Sequence, residues 1–173
     1  MRKRSALVMT FAVMAVAGCG STGTPSVSVH AGTSAGTPTA GTTRAHFIAA
    51  ADEICRALHS QQRPLNARVQ ALTQDTPAAR SQLQALFRQS VIYARAADAK
   101  LQALPRPLGD ATTINKLFNG YGREADEVTS YTDALTKLEP EKQTFASGSL
   151  ERTTASDRTL AESLGMQACA ASE

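Results

Sequence analysis

Residues 76–107 read TPAARSQLQALFRQSVIYARAADAKLQALPRP, and this stretch decides the fold. Thr76 offers a hydroxyl to the unpaired amides of a helix start, and Pro77 takes the first helical position, where its missing N–H does no harm. Apolar residues then recur at steps of three and four: Leu83, Leu86 or Phe87, Tyr93 or Ala94, Ala97, Leu101 and Leu104, with Ser90 as a polar interruption. At 1.5 Å per residue, positions 77–104 predict a rod of roughly 42 Å. Pro105 and Pro107 end it, because neither can continue the backbone ladder. A helix of this length with one apolar stripe needs neighbours to cover that stripe.

The flanking sequence supplies three such neighbours. Upstream, Thr43 is the expected N-cap of a helix whose stripe is Phe47, Ala51, Ile54, Leu58, Gln61, Leu65, Val69 and Leu72. Pro64 falls inside this pattern and is expected to kink or split the helix near residues 60–64. Downstream, Asp110 is the expected cap of a third helix, with Ile114, Leu117, Phe118, Tyr121, Ala125, Val128, Thr132, Leu135 and Leu138 on one stripe. Gly120 and Gly122 flank Tyr121 there, which reads as close helix packing or a local bend, with a gap for a ligand as the alternative. Glu139-Pro140 opens a fourth helix, in which Phe145, Leu150, Leu160, Ala161 and Leu164 are the expected anchors and Thr153 and Asp157 share their stripe. Gly148 and five Ser/Thr residues between 147 and 156 lower its helix propensity. The fold class is therefore all-α, an up-down-up-down four-helix bundle over residues 44–173. In that topology the start of the first helix and the end of the fourth lie together, so Cys55 and Cys169 are expected to pair in a structural disulfide.

Ahead of the bundle the chain has a different character. Arg2, Lys3 and Arg4 precede an apolar run from Ala6 to Ala17 broken by Thr10, the pattern of an export signal and too short to span a bilayer of about 20 residues. Val16, Ala17, Gly18 and Cys19 follow as a lipobox, which predicts removal of residues 1–18 and acylation of Cys19. Two or three acyl chains exceed the single chain that gives reversible attachment, so the expected location is extracytoplasmic, anchored in the lipid bilayer. From Gly20 to Thr43, 18 of 24 residues are Gly, Ser, Thr or Pro and none is charged. Residues 19–43 therefore read as the lipidated Cys19 and a disordered spacer, with His30 as a bystander.

The formal charge of +3 disappears with the signal, leaving 15 basic against 15 acidic residues. No nucleic-acid partner is expected on that balance, since counterion release has no surplus charge to draw on and no run of Lys and Arg occurs beyond the N-terminus. No metal or cofactor is expected: His46 and His59 do not share a helix face, and no Glu-x-x-His spacing occurs. No nucleophile elbow or phosphate-binding glycine loop is present, so no catalytic residue is assigned and the chain is read as a non-enzyme. Asp52 and Glu53 diverge around a helix, whereas Glu124 and Glu127 share a face that is expected to be solvated. Tyr93, Tyr121 and Tyr131 with Arg88, Arg95 and Arg123 are the candidate lining of a ligand pocket between helices.

The lipobox and spacer, ADEIC at 51–55, LPRPLGD at 104–110 and LGMQAC at 164–169 together resemble the small lipoproteins and secreted proteins of high-GC actinobacteria. That resemblance implies a helical domain of unknown function and carries over no catalytic residue. The expected role is a non-catalytic envelope lipoprotein whose bundle meets an envelope or cell-wall component; the alternative is a carrier of a small apolar ligand.

Overall fold

The computed structural model describes residues 43–171; the expected signal, Cys19 and the spacer to Thr42 lie outside the described residues. Four long helices, α1 (Arg44–Gln70), α2 (Pro77–Gln102), α3 (Ala111–Thr136) and α4 (Pro140–Leu164), are followed by one turn of helix, α5 (Gln167–Ala170). Among the described residues there is no strand. α1 packs on α2, α2 on α3 and α3 on α4, while α5 joins α4 back to α1.

The helix starts follow their cap chemistry. Thr43 Oγ1 accepts from His46 N at 3.2 Å and Thr76 Oγ1 from Ala79 N at 3.1 Å. Pro77 and Pro140 sit in the first turns of α2 and α4. Pro64 does not split α1, which runs unbroken through it. Pro64 and Ser60 are both exposed, so the carbonyl that loses its amide partner there faces water. Asp110 takes the N-cap position of α3 without capping it; its carboxylate instead meets Arg44 Nε at 2.8 Å. Arg44 also donates to the carbonyls of Leu164, at 3.1 Å, and Ser163, at 3.4 Å. A cation is thereby set on the negative end of α4, and the starts of α1 and α3 are tied to that end.

Phe145, expected as an anchor of α4, is 75% exposed, and Ala146 is buried in its place. One residue is about 100° of rotation on a helix, and the face of α4 that lies on α3 is the one carrying Ala146, Asp157, Ala161 and Leu164. Ala146 and Ala161 on this face are small, and Asp157 meets Gly120 of α3, where the missing side chain makes room for it.

The main core lies at one end of the bundle. Phe47, Ala51 and Cys55 of α1, Leu101 of α2, Ile114, Leu117 and Phe118 of α3, and Ala161 and Leu164 of α4 form one cluster with Met166. Phe47 and Phe118 meet at 6.3 Å between ring centroids, and the Arg106 guanidinium lies 4.6 Å over the Phe118 ring. Arg106 also donates to the Leu101 carbonyl at 3.1 Å, so the LPRPLGD segment closes α2 and covers the core in one side chain. Gly165 ends α4 at a φ of +81°, and Met166 N bonds back to the Ala161 carbonyl at 2.9 Å, which turns Met166 into the core.

The disulfide closes this end. Cys55 and Cys169 are bonded at 2.07 Å with Cα atoms 5.1 Å apart. Asp52, three residues before Cys55, accepts from Ala168 N at 2.9 Å and Cys169 N at 3.4 Å. The carboxylate holds the turn that presents Cys169, which gives Asp52 a structural duty.

Candidate functional site

Two places on the bundle gather polar side chains: a cleft between α2 and α3, and a buried seam between α3 and α4.

The cleft has a volume of about 360 Å³ and is lined by Arg88, Val91, Ile92, Arg95, Thr129, Thr132 and Asp133. Two of the six residues proposed for ligand binding, Arg88 and Arg95, are therefore brought together. Arg95 is engaged with Asp126 at 2.9 Å. The tyrosines do not join them: Tyr131 packs edge-on against Phe87 at 5.8 Å, Tyr93 is half-buried outside this cleft, and Tyr121 stacks on Phe118 at 6.2 Å. Arg123 is exposed and belongs to the surroundings of the second site.

The α3–α4 seam overturns the expectation that Glu124 and Glu127 form a solvated face. Both are half-buried and turned toward α4. Glu127 Oε1 accepts from Ser149 Oγ at 2.6 Å and Thr153 Oγ1 at 3.1 Å, while its Oε2 is buried without a partner. Opposite them Asp157 is 1% exposed, and neither of its carboxylate oxygens finds a donor. The Tyr121 hydroxyl is also buried and unpaired. Asp157 reaches this position because Gly120 has no side chain; a methyl group there would overlap its carboxylate, whereas Gly122 faces open space. The glycine pair flanking Tyr121 thus divides: Gly120 serves close packing and Gly122 does not.

Burial dominates the electrostatics of the seam. It pushes Glu124 up to about 7, with Asp157 and Glu127 adding to the rise and the Thr154 hydroxyl opposing it. It pushes Asp157 up to about 6 against the pull of Arg123 and Lys116. Tyr121 is raised well above its ordinary value, by burial first and then by Glu124, Asp157 and Asp52. The Glu124 and Asp157 carboxyls face one another, and two carboxyls can share a hydrogen bond only while one keeps its proton. In the sequence, Asp157 on the apolar stripe of α4 and Gly120 within α3 are the visible signals of this seam.

Comparison of the chain with family models, with curated proteins and with solved structures finds no match in any of the three.

Proposed function

We propose that the protein is an extracytoplasmic lipoprotein, tethered through acylated Cys19, whose bundle is presented without catalysis to a protein or wall component of the envelope. The observation that carries the presentation is the position of exposed apolar side chains. Phe145 is 75% exposed and Leu138 60%, the two lying together around the α3–α4 turn, whereas Leu108, 96% exposed, stands alone in the α2–α3 connection and Ile92, 59%, on α2. Spacer and bundle join at Thr43, beside the opposite end of α4. The 25 residues of α4 set these two ends roughly 37 Å apart at 1.5 Å per residue. An exposed apolar tip at the end of the bundle remote from Thr43 suits a protein partner. The tether rests on the basic head, apolar run and lipobox of residues 2–19, and the Cys55–Cys169 bridge supports an oxidising compartment. Among the described residues no helix is long and apolar enough to cross a membrane. The α2–α3 cleft favours a second reading, carriage of a small amphipathic acid seated against Arg88.

Cys19→Ala is expected to move the protein from the membrane fraction to the soluble fraction and to abolish acyl labelling. Unchanged membrane retention would remove the anchor from the proposal. A photo-crosslinking residue at position 145 is expected to give a discrete adduct in intact cells that the same group at Glu151 does not give. Identical products from both positions would remove the tip.

A further inference from the structure

We propose that the Glu124–Asp157 carboxyl pair is a proton-operated latch that fastens α4 to α3. Asp157 is 1% exposed with both oxygens unpaired, and it is wedged against Gly120, so it has little room to turn elsewhere. A buried carboxylate left in that condition opposes folding. One proton on the pair changes the balance: a carboxylic acid donates to the facing carboxylate, and the pair carries one charge in place of two. When the proton leaves to solvent, two carboxylates face each other in a seam that already holds Glu127 with an unpaired Oε2.

The groups around the pair sharpen this response. α3 contributes Tyr121, Glu127, Arg123 and Lys116, α1 contributes the Asp52 charge, and α4 contributes the hydroxyls of Ser149, Thr153 and Thr154. Arg123 and Lys116 draw Asp157 toward ionisation but do not outweigh burial. Ser149 and Thr153 are both committed to Glu127 Oε1. The described residues contain no group of three or more His, Cys, Asp or Glu side chains set to hold a metal ion.

Both folded-state values, about 7 for Glu124 and about 6 for Asp157, lie above the ordinary carboxylate values of 4.5 and 3.8. The folded seam therefore binds more protons than the unfolded chain across that interval, and its stability falls as pH rises from the ordinary carboxylate range to about 7. The latch is closed in mild acid and released above neutrality. Release is local, because α5 and the Cys55–Cys169 bridge keep the far end of α4 on α1.

The test is hydrogen exchange of the full mature chain at about pH 5 and about pH 8, with each amide referred to its intrinsic rate. Amides of residues 146–157 are expected to lose protection by about 100-fold at the higher pH, while those of α1 change little. Equal protection of α4 at both values would overturn the latch, as would a loss shared evenly by all four helices. The double variant Glu124→Gln/Asp157→Asn is expected to exchange alike at both values; a pH step that persists in it would assign the effect to other groups. Should that variant fail to fold, infrared spectra of the wild-type protein decide. A protonated-carboxyl carbonyl band present in mild acid and lost above neutrality supports the latch, and its absence throughout overturns it.

Discussion

Replacing Cys55 and Cys169 together by alanine is expected to lower the stability of the domain by about 4 kcal/mol. The bridge spans a sequence separation of 114. Loop-closure entropy grows slowly with length, so a span of this size gives about 4 to 5 kcal/mol in the chain-entropy model, and measured values run smaller. The native side of the balance points the same way. Cys55 is 5% exposed within the core cluster, and α5 is a single turn that α4 and α1 share. Without the bridge, that turn is held by the Asp52 carboxylate and the packing of Met166. Denaturant unfolding of wild type and variant measures the difference, and the wild type under reductant should approach the variant. A change below about 1 kcal/mol would show that packing alone secures the C-terminal segment.

Gly120→Ala is expected to destabilise the protein by about 2 kcal/mol, and Gly122→Ala to stabilise it by about 0.5 to 1 kcal/mol. Both glycines lie inside α3, where exchange for alanine improves helix propensity. The surroundings decide the sign. A methyl at 120 collides with the Asp157 carboxylate, which is walled in, whereas nothing lies within 4 Å of a methyl at 122. Asp157→Ala should relieve the Gly120→Ala variant by more than the sum of the separate effects allows, because the two substitutions act on one contact. Thermal or denaturant midpoints of the four proteins in that cycle test the coupling. Additive effects would mean that the seam gives way elsewhere.

The elements that sequence reading located best are those whose ends carry local chemistry. Thr43 and Thr76 bond their own third amides, and Pro77 and Pro140 open their helices, so these boundaries depend on neighbours within one turn. Cys55 and Cys169 were legible on different grounds, since antiparallel helices of similar length bring those positions together.

The seam was hidden for the opposite reason. α4 is so rich in Ala, Ser and Thr that two overlapping stripes fit its sequence, one through Phe145 and one through Ala146. Which stripe is buried depends on Gly120 across the interface: the glycine itself signals close packing, but which face of which helix meets it is a long-range fact. Once α4 takes the Ala146 face, Glu124 and Glu127 are covered. Their spacing along α3 cannot announce that outcome. Asp110 misled in a related way: its position suits a cap, but the side chain reaches Arg44 of another helix.

The bridge also sets an order of events. Under the proposed export, with the N-terminus leading, Cys55 reaches an oxidising compartment before Cys169, which lies 114 positions further along the chain. During that interval the nearest thiol in the chain is Cys19, and the shorter loop to it closes more readily. Under the proposed acylation Cys19 has lost its thiol, and the wrong ring cannot form. The lipid would then act as a protecting group in the synthetic sense, masking one sulfur until the correct pair of sulfurs has been joined.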